Sequence, residues 1–499
     1  MRKPTSILIL LVLVIMGLWA GFTYWFGMKA EQQYHALLEH ASQGQYAKFV
    51  NESYRRGFMD SQAQTILEIQ LPMGPNGEIQ SYKVPLIQDI THGPFPISGL
   101  GESESRWQPV MAVIETRLAP GSELESHFTR LWSQFPELAT LRDYSVLYLD
   151  GKGRERLVMP PFQRTFGPDE PVAVNWKGLS LQVDFANDLK DFSGSLSMPG
   201  MAARSKELTL QLGEVKLAFT ANEGISGLWL GEGSFALVSL EVTLDQDTEP
   251  QSLQLQGFSV NTATSATGDN INSQLGIRTD LLKFDEHRYG PGNFEIEFRN
   301  FDAPALARLQ ESLREETGQA GQPPASTDQM KMLARYMEIL PALLKKSPEI
   351  EIKQLNLKTS LGDLTGTARL SFDGTKAGAV HDFMALITGL TVQVDVKIGE
   401  GLLRNALTGI MQAEVLAELE ELETEIPDEG SDELASTLPG EEDIRALIAE
   451  RIDEQLAALT EQKILVKEDR TFSAKASYEG GQITLNGRPL SLQDLILGD

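Results

Sequence analysis

Residues 179–185 read LSLQVDF and residues 208–219 read LTLQLGEVKLAF. Leu179, Leu181, Val183 and Phe185 alternate with Ser180, Gln182 and Asp184, and Leu208, Leu210 and Leu212 alternate with Thr209 and Gln211. Successive side chains of a strand point to opposite faces, so this period of two gathers the apolar residues on one side. Val215, Leu217 and Phe219 follow, then Phe235 to Leu244, Leu253 to Val260 and Ile271 to Leu281; Phe294, Ile296 and Phe298 alternate with Glu295, Glu297 and Arg299. The pattern predicts a meandering antiparallel sheet with one greasy face, because antiparallel sheets can leave the second face wet. No strict sequence period accompanies it.

The same reading extends towards both termini. Tyr46 to Tyr54 and Phe58 to Leu71 form a hairpin around Arg55, Arg56 and Gly57, Met111 to Leu118 is a strand, and Tyr144 to Leu157 is a hairpin folded at Asp150-Gly151. Ser122 to Phe135 reads as a helix opened by a serine cap. Ala303 to Glu316 and Gln329 to Lys346 form a helical pair joined by GQAGQPPASTD, a flexible composition. Beyond it, Ile350 and Ile352 hand over to Leu355 and Leu357, a phase slip near Lys353 that predicts a bulge. Strands at Ala368 to Phe372 and Val392 to Ile398 precede a helix from Gly401 towards Glu420. Glu414 to Asp443 contains no Lys or Arg and reads as a solvated acidic linker. Ile444, Leu447, Ile448, Ile452 and Leu456 make the apolar stripe of a last helix. Strands at Lys463 to Lys467, Thr471 to Tyr478 and Gln482 to Leu485 close the chain, with turns at Gly480-Gly481 and Asn486-Gly487. In domain terms, 28–300 is β-rich, 301–348 a helical hairpin, 349–413 a β-rich continuation with a helix, and 444–499 a helix with a hairpin.

Thr5 to Gly27 is free of charge and long enough, at about 1.5 Å of rise per residue, to cross a bilayer core of about 30 Å. Arg2 and Lys3 precede it, which predicts a cytoplasmic tail over 1–4 and export of the rest. A cleavable signal would end in small residues, whereas this stretch ends in Phe22, Tyr24, Trp25 and Phe26, rings suited to the headgroup belt of a retained anchor. Met28 to about Gln43 then reads as a short helix leaving the membrane, stopped at Gly44. The expected class is therefore α+β and β-rich: one N-terminal transmembrane helix, then a large antiparallel, twisted, multi-stranded sheet with amphipathic helices packed on part of one face. Gly17 and Gly21 form a G-x-x-x-G pair that could let two such helices approach as a homodimer.

With 70 acidic against 43 basic residues, the net charge of −27 disfavours nucleic-acid binding. The absence of cysteine removes disulfides and thiolate metal sites. The six histidines show no ligand pairing, and no G-x-S-x-G elbow or Walker loop occurs, so no catalytic, cofactor or metal site is expected. Gly224, Gly227, Gly231 and Gly233 surround Leu228 to Leu230 and read as turns. Two short motifs are candidates for a site. His92-Gly93-Pro94-Phe95 combines a side chain that titrates near neutrality with a rigid turn, in which Phe95 plugs the core and His92 caps a backbone group, or else His92 handles protons. Tyr54, Arg56 and Gly57 lie at the first hairpin turn, where Arg56 could fork onto a carboxylate or be paired locally.

Three segments, ESYRRGFMDSQAQTILEI, THGPFPISGL and SYEGGQITLNGRPLSLQDL, with INSQL at Ile271 to Leu275, resemble the YdgA-like family of bacterial envelope proteins, whose domain is of unknown function. The resemblance implies an inner-membrane anchor, a periplasmic body and a homodimer, and no catalytic residues. The expected role is a non-enzymatic envelope factor that binds a lipid or an envelope protein on its sheet face. The alternatives are a cell-wall hydrolase or binding enzyme with a site near His92, and a dimeric scaffold.

Overall fold

The computed structural model describes residues 3–42, 47–73, 78–96, 109–119, 137, 140–167, 171–186, 189–244, 251–317, 337–379, 383–424 and 440–490. The expected helix at Ser122 to Phe135, the joint at 318–328 and the middle of the acidic stretch, 425–439, lie outside them. The chain divides into two compact units, Met1–Ser252 with Ala307–Met332, and Leu253–Leu306 with Leu333–Asp499.

In the first unit one helix, α1 (Lys3–Ala41), precedes the strands β1 (Ala47–Arg56), β2 (Asp60–Met73), β3 (Glu78–His92), β4 (Val110–Leu118), β5 (Arg142–Tyr148), β6 (Gly153–Met159), β7 (Phe162–Phe166), β8 (Val172–Trp176), β9 (Leu179–Ala186), β10 (Asp191–Met198), β11 (Met201–Arg204), β12 (Leu208–Leu212), β13 (Val215–Glu223) and β14 (Trp229–Leu244). Every pairing among the described strands is antiparallel. The order β1-β2-β3-β4-β5-β6-β9-β10-β13-β14 is a plain meander. The shorter strands β7, β8, β11 and β12 continue β6, β9, β10 and β13 beyond a shared crease. That crease runs through Pro160-Pro161, Lys177-Gly178, Pro199-Gly200 and Gly213, where prolines and positive-φ glycines interrupt the ladder. At Gly200, with φ +137, a Cβ would lie 2.5 Å from the carbonyl oxygen of Leu212.

The register aligns the apolar positions in rows across the strands. Leu157, Leu181, Leu196, Leu217 and Phe235 form one row. Glu155, Val183, Gly194, Phe219 and Gly233 form the next. The opposite face carries Arg154, Asp184, Ser193, Thr220 and Glu232 in register, with an Arg154–Asp184 ion pair of 2.6 Å. Thus the greasy face predicted from alternation is present.

Helix α1 differs from the expected pair of helices in being continuous. Phe26, Ala30 and Tyr34, spaced at four, are buried against Ala63, Ile90, Ala112, Ile114 and Leu147 on the sheet, with Leu37 and Leu38 alongside. The expected span over Thr5–Gly27 is corrected at its C-terminal end, because Thr23, Phe26 and Gly27 are covered by protein. Phe26 is accordingly a core residue and not part of a headgroup belt. Among the described residues no helix is long and apolar enough to cross a membrane; in α1, side chains are described from Met16 onward.

The second unit is again a meander. It comprises β15 (Gln251–Thr267), β16 (Asn270–Thr279), β17 (Leu281–Phe284), β18 (His287–Asp302), β19 (Glu349–Thr359), β20 (Leu364–Phe372), β21 (Leu390–Gly399), β22 (Val466–Glu468), β23 (Thr471–Glu479), β24 (Gln482–Leu485) and β25 (Arg488–Leu490). Phe298, Ile350, Leu370, Val392 and Tyr478 share a row, as do Ile296, Ile352, Ala368, Val394 and Ala476. The predicted slip near Lys353 is real: the register shifts between Ile352 and Leu355. On the polar face Arg299 pairs with Glu297, Glu349 and Glu351.

Helices α2 (Ala303–Thr317), α3 (Phe383–Gly389), α4 (Glu400–Thr424) and α5 (Glu441–Glu461) complete the described chain, with a helical stretch over 337–344. The Asp302 carboxylate accepts from the Ala305 N–H at 3.0 Å and caps α2. Helix α4, expected from Gly401 towards Glu420, runs through Thr424 and so overlaps the start of the stretch read as linker; Leu403, Leu407, Met411 and Val415 recur every four residues and pack on Ile448, Ile452, Leu456 and Phe472. Leu447, expected on that stripe, instead faces outward. Lys463 has φ +59 and belongs to a turn, so the strand expected from Lys463 begins only at Val466. Gly231 and Gly233, read as turn residues, lie within β14 opposite Ala221 and Phe219.

Candidate functional groove beneath the first helix

Where α1 crosses the sheet it leaves a groove of about 370 Å³. Leu37 and Leu38 form one wall, and Phe49, Leu67, Val84, Leu86, Ile114, Leu118 and Leu157 line the rest. Its volume is at the lower end of the range, about 300–1,000 Å³, typical of sites that hold small molecules.

Two polar clusters interrupt the apolar lining. The buried Tyr34 hydroxyl lies 2.5 Å from Thr65 Oγ1 and donates to Gln88 Oε1 at 3.0 Å, while Thr65 Oγ1 also reaches Gln88 Oε1 at 3.1 Å. This network ties α1 to β2 and β3, and burial pushes the Tyr34 phenol up. The second cluster is an acid pair, Asp143 on β5 and Glu155 on β6, both lining the groove. Loss of solvent raises the Asp143 carboxyl to about 7, with the Glu155 charge adding to the shift, and raises Glu155 for the same first reason. Asp143 Oδ1 is buried without a hydrogen-bond partner. Near neutrality the pair retains part of its protons, which suits an apolar lining and leaves an O–H able to donate. Alternation alone places both acids on the apolar face: Asp143 pairs with Leu157, and Glu155 with Val183.

The residues singled out in the sequence assemble at the end of the sheet where α1 leaves it. His92, only 3% exposed, has Nδ1 at 3.2 Å from the Phe58 carbonyl and Nε2 at 2.8 Å from Ser61 Oγ. If Nδ1 donates to the carbonyl, Nε2 accepts from the serine. Burial pulls the imidazole pKa down. Gly93 fits because a Cβ there would lie 1.7 Å from the Val110 carbonyl oxygen; the Gly93 N–H donates to the Met111 carbonyl at 2.7 Å, and the Pro94 carbonyl accepts from Val110 at 3.0 Å. Phe95, expected to plug the core, is 45% exposed. Arg56 donates to Glu31 of α1 at 2.8 Å and lies 5.5 Å from the centre of the Tyr24 ring, so it is paired locally. Tyr54 packs its ring at a tilt against Tyr34 and His35, with centroids at 5.4 and 5.6 Å, and the Gly57 N–H donates to the Asp60 carbonyl at 2.8 Å. Gly17 and Gly21 are exposed, and a Cβ at either would meet nothing within 4 Å. Among the described residues no group of three or more His, Asp or Glu side chains is placed to hold a metal ion.

Residues 1–493 match the family described as bacterial protein of unknown function, DUF945. The chain belongs to that family. It is also similar to Protein YdgA of Escherichia coli strain K12, at 24% identity over 97% of this chain and 94% of the relative. This DUF945 protein matches no solved structure. The groove and its acid pair were not singled out in the sequence. Their signal was there, two carboxylates at positions that the alternation reserves for apolar residues.

Proposed function

We propose that the protein is a non-enzymatic factor of the bacterial envelope, held to the inner membrane by the apolar N-terminal part of α1, with its bulk in the periplasm and an acyl chain as the ligand of its sheet face. The observation that carries this reading is the groove beside α1, whose lining is aliphatic and aromatic apart from Tyr34, Gln88, Arg117 and a few smaller polar groups including the acid pair. Burying a methylene contributes about 0.8 kcal/mol, so a segment of about eight methylenes would gain about 6 kcal/mol before the costs of association. The apolar rows running from Leu157 to Phe235 continue the same surface away from the groove. The anchor is supported by the uncharged stretch from Thr5 to Phe22, which lies ahead of the first residues that α1 packs on the sheet.

The test is native mass spectrometry of the full chain extracted in mild detergent. A lipid adduct is expected on the wild-type protein and its loss on Val84→Asp or Leu157→Asp, which put a charge into the groove. An adduct of equal abundance on all three proteins, or none on the wild type, would overturn the reading.

A further inference from the structure

Turns normally carry residues that satisfy their own backbone, but the turns at one end of the first unit carry exposed apolar side chains. Phe58 is 50% exposed, Met59 40%, Phe95 45% and Leu149 45%. They are held as neighbours. His92 binds the Phe58 carbonyl through Nδ1 and the Met59 carbonyl through its backbone N–H at 2.9 Å. Pro94 is tied to Val110, which pairs with Tyr148, the residue before Leu149. This row of turns lies beside the point where α1 leaves the sheet. A Cβ on Gly27 would lie 2.5 Å from the His92 ring, and the turn of helix just before it exposes Phe22 by 52%, Tyr24 by 46% and Trp25 by 46%. Single exposed apolar residues are ordinary, but seven around one helix exit form a patch.

We propose that these side chains form one rim that enters the headgroup region of the bilayer around α1. Aromatic rings favour that depth; Lys29 and Arg55 are exposed beside them, while Arg56 is neutralised by Glu31 and the turns also carry exposed Asp60 and Asp150, so the rings and not a net positive charge carry the contact. The occupant follows from continuity: the row of turns lies beside α1 at Gly27, where the apolar stretch that begins at Thr5 ends. This inference rests on the anchor reading and adds to it. The rim fixes the sheet against the membrane and prevents the body from swinging on the helix alone.

The chain has no cysteine, so single-cysteine variants report one position each. Met16→Cys, Phe58→Cys, Phe95→Cys, Leu149→Cys and the distant turn control Lys206→Cys are labelled with an environment-sensitive fluorophore in the full chain. The labelled chains are reconstituted into vesicles of phosphatidylethanolamine and phosphatidylglycerol, with and without brominated lipid. Quenching is expected at 16, 58, 95 and 149, several-fold above that at 206. Quenching at 16 with 58, 95 and 149 at the level of 206 overturns the rim and leaves the anchor. Shielding of 58, 95 and 149 from aqueous iodide without lipid quenching shows a protein or a second copy on this surface, and also overturns it. No quenching at 16 removes the anchor; the rim then stands only if 58, 95 and 149 are still quenched.

Discussion

Replacing Gly27 by alanine sets two effects of opposite sign against each other. Helix propensity favours alanine over glycine by about 1 kcal/mol at an interior position. The new Cβ, however, would lie 2.5 Å from Cε1 and 2.6 Å from Nδ1 of His92. That ring is buried and bonded on both nitrogens, so it cannot move without loosening two hydrogen bonds, each worth about 1 kcal/mol. Overpacking adds about 1–3 kcal/mol. The sum, less the propensity gain, is a net destabilisation of about 2–4 kcal/mol. In a unit of this size 1 kcal/mol shifts the melting temperature by about 2–4 °C, so Gly27→Ala should melt roughly 4–16 °C below the wild type. The assay is thermal unfolding of the full chain followed by circular dichroism, extended to a cycle with His92→Ala. The two costs should couple favourably by about 1–3 kcal/mol, since shortening residue 92 removes the collision. A Gly27→Ala protein as stable as the wild type, or two strictly additive costs, would refute the packing of α1 against His92.

Three further outcomes follow from the same geometry. Between about pH 4 and 7 folded Asp143 holds a proton that the unfolded chain has released, so this carboxyl lowers stability as pH rises through that window. Asp143→Asn should therefore gain in melting temperature over the wild type from pH 4 to pH 8; a constant difference would contradict the buried pair. Tyr34→Phe leaves Thr65 and Gln88 short of a partner and should cost about 1–3 kcal/mol in chemical denaturation, whereas an unchanged midpoint would show the network to be idle. Ile452→Ala, in the core between α4 and α5, should cost about 2–5 kcal/mol, and Leu447→Ala, facing outward, less than about 0.5 kcal/mol; comparable losses would contradict the assignment of the α5 stripe.

The sheet was legible because its signal is local. Every second residue from Leu179 to Phe185 and from Val215 to Phe219 is apolar, and the register places those residues on one face. Strands β10 and β11 escaped the alternation because Gly194 and the run Met201-Ala202-Ala203 dilute it, although Phe192 and Leu196 keep the phase. The helix expected from Gly401 towards Glu420 is present and ends at Thr424, so the acidic composition from Glu414 had marked as linker a stretch that begins as helix. At the candidate motifs, local reading left open whether Arg56 meets a carboxylate or pairs within the turn and whether His92 caps or handles protons; the Arg56 partner is Glu31 on α1, 25 residues away, and Phe95, read as a core plug, is exposed. Nothing within THGPFP says which face of the loop is covered; that depends on α1, more than sixty residues earlier. The groove was missed for the same reason, since its walls come from α1, strands β1 to β6 and β9, and exist only once the helix is laid across them.

Photocrosslinking most directly tests the idea that the apolar face receives an acyl chain. A diazirine side chain placed at Leu157, Leu181 or Leu217 on the apolar face, and at Gln182 or Thr220 on the opposite one, is activated in membranes and the adducts are weighed. Lipid adducts confined to the first three positions are the predicted result. Adducts absent from all five, or equal on both faces, would contradict it.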